Sequence, residues 1–259
     1  MESLTLHIPM NDSTKHHVSV IVCHYSHVDD FGEQRAKNAG ESKTRSEMLR
    51  TTLDSLSQNT NYPSEIIVVD NGGNPDDSDY LVDMTRKGII NTYIRNKNNM
   101  YFGWAWNQAA RLATGDYLCF TCNDLFFKEN WLKTTIEPLL KYPEKKLIAT
   151  PIITPDKDMP KYMRGTLDEY RLNSMAGSNC MLMTRETHAV MGELSTYRTA
   201  SYLWYDKIKG LGYSMIAPPV NMAEHLAHAG GVNFNADIKV VKELLNKEII
   251  DYSTTTWRR

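Results

Sequence analysis

A carboxylate, Asp124, closes the run YLCFTCND at residues 117–124. Tyr117, Leu118, Cys119 and Phe120 are apolar and β-prone and read as a short buried strand, which Thr121, Cys122, Asn123 and Asp124 bring to a stop. An ionised Asp is costly to bury at a strand end without a partner. It is well placed for a ligand, because the crevices of open α/β sheets form at the carboxyl ends of strands. A hard oxygen there suits Mg²⁺ or Mn²⁺ held jointly with a phosphate. An Asn-Asp turn that caps the following helix accounts for the same residues, and the run by itself leaves both readings open. Asp70 repeats the arrangement at the end of EIIVVD, residues 65–70, just before Asn71-Gly72-Gly73-Asn74-Pro75. It is either a turn residue or part of a nucleotide pocket where the ends of three strands, with Cys23 on the first, converge.

The elements around these residues predict an α/β parallel sheet. VSVIVCHY, residues 18–25, is the β-branched run of a strand buried on both faces. Met48, Leu49, Leu53 and Leu56 fall at helical spacing, and strand 65–70 follows. A short helix from Tyr80 to Lys87, a strand from Ile89 to Ile94 and a helix from Trp104 to Ala113 lead into the Tyr117 strand. This alternation of strand and helix is the signature of parallel βαβ units. Apolar spacing resumes from Leu125 to Leu132, and Trp131 to Leu140 reads as a helix. Lys146–Ile153, Ser174–Thr184 and Tyr213–Pro218 read as strands, and Tyr202–Leu211 and Ala236–Ile250 as amphipathic helices. Residues 1–16 read as a loose N-terminal segment, 17–231 as one domain, 232–259 as a C-terminal helix and tail packed on it, and 156–173 as loop. The polar stretch from Ser26 to Thr44 is long for a loop, so it reads as a lid or as disorder.

The net charge of −2 carries no polyelectrolyte signal, so nucleic acid is not a favoured partner. No apolar run reaches the ~20 residues of a membrane span, and MESLTLHIPM lacks a signal-peptide layout. Cys119 and Cys122 form a CxxC on a strand rather than at a helix start, which argues against thioredoxin-like chemistry. A cytoplasmic protein with reduced thiols is the simplest expectation.

In order and spacing, four segments resemble the family 2 glycosyltransferases, inverting enzymes of the GT-A fold. They are VSVIVCHYS (18–26), EIIVVDNGGNPDDS (65–78), the run from Asn99 through Asn107 to Asp124, and AGSNCMLMTRE (176–186) followed by HAGG (228–231). The resemblance implies a single α/β domain with a Rossmann-like nucleotide-binding half and a mixed central sheet. It also implies a UDP-, dTDP- or GDP-sugar donor and a glycan or other hydroxyl acceptor. Cys23, Asp70, Asn71, Asn107 and Asn123 would line the nucleotide site, although Asn107 fits a helix surface equally well. Asp124 and His228 would hold the metal, with His225 able to share or replace the histidine role. Because imidazole suits Mn²⁺ better than Mg²⁺, the pair leans toward Mn²⁺. A hydrogen-bonded loop histidine is the alternative for His228, and His24 reads as structural.

An inverting transfer needs a base for the acceptor proton, and here the chain departs from the family pattern. Counted from the flanking glycines, the place of the family's acidic pair falls on Ala200-Ser201 or Leu203-Trp204. Asp206 is the carboxylate in reach, with Glu186 and Glu224 in reserve; a surface charge beside Lys207 or Lys209 is the other reading of Asp206. Trp204 is expected near the acceptor. A non-catalytic module that binds a nucleotide sugar or glycan is the competing function. A nucleotidyltransferase is disfavoured, because Ser26-His27-Val28-Asp29-Asp30 lacks a Gly-rich, basic triphosphate loop.

Overall fold

Val18, Val20 and Val22 face one side of a sheet and Ile21 and Cys23 the other, and both sides are core. That is why the run carries no polar alternation. The computed structural model describes residues 3–7, 16–26, 43–152, 163–173, 179–194, 204 and 207–226. In chain order the elements are β1 (Ser3–His7), β2 (Val18–His24), α1 (Arg45–Asn59), β3 (Ser64–Asn71), α2 (Pro75–Arg86), β4 (Thr92–Asn96), α3 (Tyr101–Ala110), β5 (Tyr117–Cys122) and β6 (Leu125–Phe127). Then follow α4 (Trp131–Lys141), β7 (Leu147–Ala149), β8 (Met163–Leu167), β9 (Tyr170–Asn173), β10 (Cys180–Thr184), α5 (Arg185–Met191), β11 (Ser214–Ala217) and β12 (Ala223–His225).

Among the described residues ten strands form one sheet, in the order β1-β4-β3-β2-β5-β10-β7-β11-β9-β8. β4, β3, β2 and β5 run parallel and make the Rossmann-like half. β10 turns antiparallel to β5, so the central sheet is mixed. α1 packs Leu49, Leu53 and Leu56 against the Val18 face, and α3 packs Ala105, Trp106 and Ala109 against the Ile21 face. Each fully buried aliphatic side chain contributes roughly 1.5–3 kcal/mol, so these two layers hold the strand ends rigid. No helix among the described residues is long and apolar enough to cross a membrane.

Four elements differ from the sequence-based expectation. Residues 3–7, expected to be loose, form β1, antiparallel to β4. The stretch expected as loop carries the hairpin β8–β9. Its turn puts Asp168 at φ 49° without the Asn-Gly or Asp-Gly pair that announces such turns in sequence. The apolar residues after Asp124 form β6 before α4 begins, and β6 pairs with β12 in a separate two-stranded sheet. α2 also starts earlier than the apolar spacing implied. Asn74 caps it by accepting from the Asp77 N–H, and Pro75 sits at its first turn. Residues 27–42 of the Ser26–Thr44 stretch expected as a lid or as disorder, and the terminal helix expected over 236–250, fall outside the described residues.

Candidate active site at the strand ends

Register alone gathers the polar residues at one edge. His24 lies opposite Asp70, Cys23 opposite Cys122, and Asn71 opposite Asn96. Asn123 and Asp124 follow directly where β5 stops. The turn after β3 closes tightly: Gly72 has φ +85°, and a Cβ there would sit 2.8 Å from the Asn98 and Asn99 backbone. Only glycine fits both demands.

Asp124 Oδ2 is shared by Arg45 Nη1 at 3.2 Å and His225 Nε2 at 3.4 Å, while its buried Oδ1 has no hydrogen-bond partner among the described residues. His225 arrives there because β12 pairs with β6 and the Leu226 N–H donates to the Asp124 carbonyl oxygen at 2.8 Å. Of the two late histidines, His225 is therefore seen on the carboxylate; His228 lies outside the described residues.

Beneath Asn123 lies a buried polar chain. Asn123 Nδ2 donates to His24 Nδ1 at 2.7 Å, which leaves the His24 Nε2–H to donate to Asp77 Oδ2 at 2.9 Å. Ser26 Oγ and Ser46 Oγ each donate to the same Asp77 oxygen at 2.7 Å. Burial alone would push the Asp77 carboxyl up. The bonds from His24, Ser26 and Ser46 outweigh it and hold the group well below the ordinary carboxylate range. This chain links α1, α2 and β2 to the residue preceding Asp124. His24 had a structural reading in the sequence, but Asp77, ahead of the helix expected from Tyr80, and Arg45, just past a polar loop, gave no signal there.

The Asp70 carboxylate is fully enclosed. It accepts from the Gly73 N–H (2.7 Å), Ser78 Oγ (2.6 Å) and Tyr93 OH (3.0 Å), and Arg95 Nε lies 3.7 Å from Oδ2, so the turn, α2 and β4 all converge on it. Asn71 Oδ1 accepts from the Met100 N–H and Asn96 Nδ2, and its Nδ2 donates to Asn99 Oδ1, tying the 96–101 turn to β3. Asp70→Asn is expected to cost about 1–3 kcal/mol of unfolding free energy, the range for hydrogen bonds to a buried charge. Chemical denaturation checks this. A loss of nucleotide affinity with unchanged stability would instead put the carboxylate on a ligand.

The remaining residues are dispersed. The Cys23 thiol packs in the α3-side core, where burial and then the Asp70 charge push it up to about 12, so it stays protonated. Asn107, on α3, spends both ends of its amide on the Leu194 backbone at 2.8 Å each and is not gathered with the others. Trp204 is core rather than an acceptor platform: it is 2% exposed and packs edge-on to Phe120. Thr184 opposite Tyr117 places the start of α5, with exposed Glu186, at the far edge of the sheet from Asp124. Glu224 is exposed and paired with Lys128 at 3.2 Å. Asp206 lies outside the described residues. Among the described residues no three His, Cys, Asp or Glu side chains form a metal-holding group.

Residues 36–202 match the family described as Glycosyl transferase family 2. A Drosophila melanogaster protein named "Putative polypeptide N-acetylgalactosaminyltransferase 13" is 30% identical over 135 residues, covering 48% of this chain and 24% of that protein. The chain thus spans about a quarter of the length of that relative. Among solved structures, GalNAc-T7 with UDP, GalNAc and Mn²⁺ is similar with a TM-score of 0.57 and 16% identity, over 80% of this chain and 42% of that one. The mannosyltransferase PcManGT from Pyrobaculum calidifontis, in complex with GDP-Man and Mn²⁺, has a TM-score of 0.59 and 18% identity, over 94% and 67%. S. aureus TarS 1–349 has a TM-score of 0.59 and 15% identity, over 93% and 68%. These structural likenesses are likenesses of fold.

Proposed function

The chain belongs to glycosyl transferase family 2, and from that premise we propose that it moves a sugar from a UDP-, dTDP- or GDP-sugar to the hydroxyl of a glycan or other acceptor, with inversion and with a divalent cation. The observation that supports this best is the Asp124 carboxylate. It stands at the end of a buried parallel strand with one oxygen unpartnered among the described residues and the other faced by an imidazole. A hard carboxylate beside a borderline nitrogen donor fits Mn²⁺ better than Mg²⁺. Asp124 and His225 would hold the ion, with His228 as the histidine the resemblance implies. When bound, the ion supplies Lewis-acid neutralisation of the charge that builds on the leaving diphosphate.

The chain's own residues do the rest. The β2 end and the Gly72-Gly73 turn wall the donor pocket. Asn71 holds the 96–101 turn beside it, and His24 orients Asn123. Asp206 is proposed as the base that accepts the acceptor's proton as its oxygen attacks the anomeric carbon. The reading takes residues 17–231 as the transferase domain. It places the protein in the cytoplasm, in keeping with four cysteines held as thiols.

The test is release of nucleoside diphosphate from a panel of donors with Mn²⁺, repeated with EDTA. Release that survives EDTA would remove the metal from the reading. Donor binding without any release would favour the binding-module alternative. In the same assay Asp206→Asn should keep nucleoside-diphosphate binding and lose on the order of 100-fold in transfer; unchanged transfer would make Asp206 a surface charge.

A further inference from the structure

Asp124 already carries a cation. Arg45 Nη1 sits 3.2 Å from Oδ2, on a side chain only 14% exposed. Arg45 is the first residue of α1, and that helix end is fixed. The Thr44 N–H donates to Glu47 Oε2 at 2.7 Å, and the Glu47 N–H returns to Thr44 Oγ1 at 3.2 Å. Next to it, Ser46 is anchored on Asp77. The guanidinium also lies 3.7 Å from Met48 Sδ on its own helix. A rigid helix end therefore presents a permanent positive charge to the carboxylate oxygen that His225 also faces. A divalent ion entering there meets that charge across a few ångströms of weakly hydrated protein, where repulsion is strong. Phosphate oxygens are the natural alternative partner for guanidinium, which binds them through paired N–H donors.

Resting on the metal reading above, we propose that Arg45 is a built-in competitor for the cation. Without nucleotide it occupies Asp124 and keeps divalent-ion affinity low. With a nucleoside diphosphate bound, the guanidinium turns to the phosphate oxygens and Asp124 passes to the ion. Ion and nucleotide then bind with positive coupling, and linkage requires each to raise the other's affinity by the same factor. Arg45 is a positioning residue in this scheme. Its effect is read in the binding of the ion itself rather than in turnover.

The experiment is Mn²⁺ binding by electron paramagnetic resonance on the full chain, alone and with UDP or GDP, after correction for Mn²⁺ bound by the nucleotide itself. The wild type should bind Mn²⁺ about tenfold more tightly with one of the nucleotides present, a typical coupling. Arg45→Gln should bind Mn²⁺ alone about tenfold more tightly than the wild type and lose most of that coupling. Arg45→Lys, which keeps the charge, should retain coupling and guards against a folding defect in the glutamine variant. Equal or weaker Mn²⁺ binding by folded Arg45→Gln, or a wild type without coupling, overturns the proposal. Asp124→Asn separates the two readings. If it abolishes Mn²⁺ binding while Arg45→Gln changes nothing, Arg45 alone is misassigned. If it leaves Mn²⁺ binding intact, the metal site and the Arg45 proposal fall together.

Discussion

Asp124→Ala is expected to lower metal-dependent donor turnover by about 10³-fold or more, because the variant loses the carboxylate that would carry the cation. Lewis-acid stabilisation of a leaving diphosphate is worth several kcal/mol, and each ~1.4 kcal/mol is a factor of ten in rate. Stability should move much less. Asp124 is 13% exposed, and its partners among the described residues, Arg45 and His225, are 14% and 24% exposed. Ion pairs with access to solvent contribute on the order of 0–1 kcal/mol. Removing the carboxylate also removes a buried oxygen that has no hydrogen bond among the described residues, which offsets part of the loss. The melting temperature and the turnover should therefore separate. Turnover within tenfold of wild type, or a loss of activity that merely tracks unfolding, would refute the assignment.

The edge of the sheet was legible because its signal is local. Apolar β-branched runs ended in small polar residues at His24, Asp70 and Cys122, and parallel pairing then had to bring those ends together. The partners of each side chain were not legible, because they come from other elements. Nothing in the order of residues says that the Asp70 carboxylate turns inward to Ser78 and Tyr93. Nor does it say that Asn107 is spent on Leu194, 87 positions away. Arg45 sits at the end of a polar stretch without apolar period, and its meeting with Asp124 across 79 positions depends on how α1 lies against β6. The two late histidines had similar sequence surroundings. Pairing of β12 with β6 is what sets His225 on Asp124, and a three-residue strand is below what periodicity can detect. The Asn74-Pro75-Asp76-Asp77 start of α2 was readable as a cap followed by a first-turn Pro, yet the same residues also spell a turn.

Asp77→Ala is expected to be the most destabilising single change among these residues, by about 3–5 kcal/mol, the range for breaking a buried charge network from one side. Asp77 is fully buried. Its Oδ2 takes His24, Ser26 and Ser46, and its Oδ1 lies 3.6 Å from Arg50 Nη2. Truncation strands an imidazole N–H and two hydroxyls in a space that water enters poorly, whereas Arg50, 38% exposed and lying over the Tyr80 ring, keeps solvent. For a chain of this size that corresponds to roughly 10 °C in melting temperature. Asp77→Asn tests the charge separately from the packing, and pH gives the sign. The folded carboxyl titrates below its ordinary value, so its stabilising contribution is complete above the unfolded value near ~4 and is lost as pH falls toward the folded one. Denaturation midpoints of wild type and Asp77→Asn should therefore lie far apart at neutral pH and converge in acid. A gap that is the same at both ends of that range would mean that shape, not charge, holds the network. The consequence reaches the site through one bond. His24 keeps its Nδ1 as an acceptor for Asn123 only while its Nε2–H has Asp77 to donate to. Asp77→Ala, which removes the acceptor that Asn would keep, should accordingly weaken nucleotide-dependent turnover even at temperatures where the variant remains folded, because Asn123, and with it the approach to Asp124, loses the group that orients it.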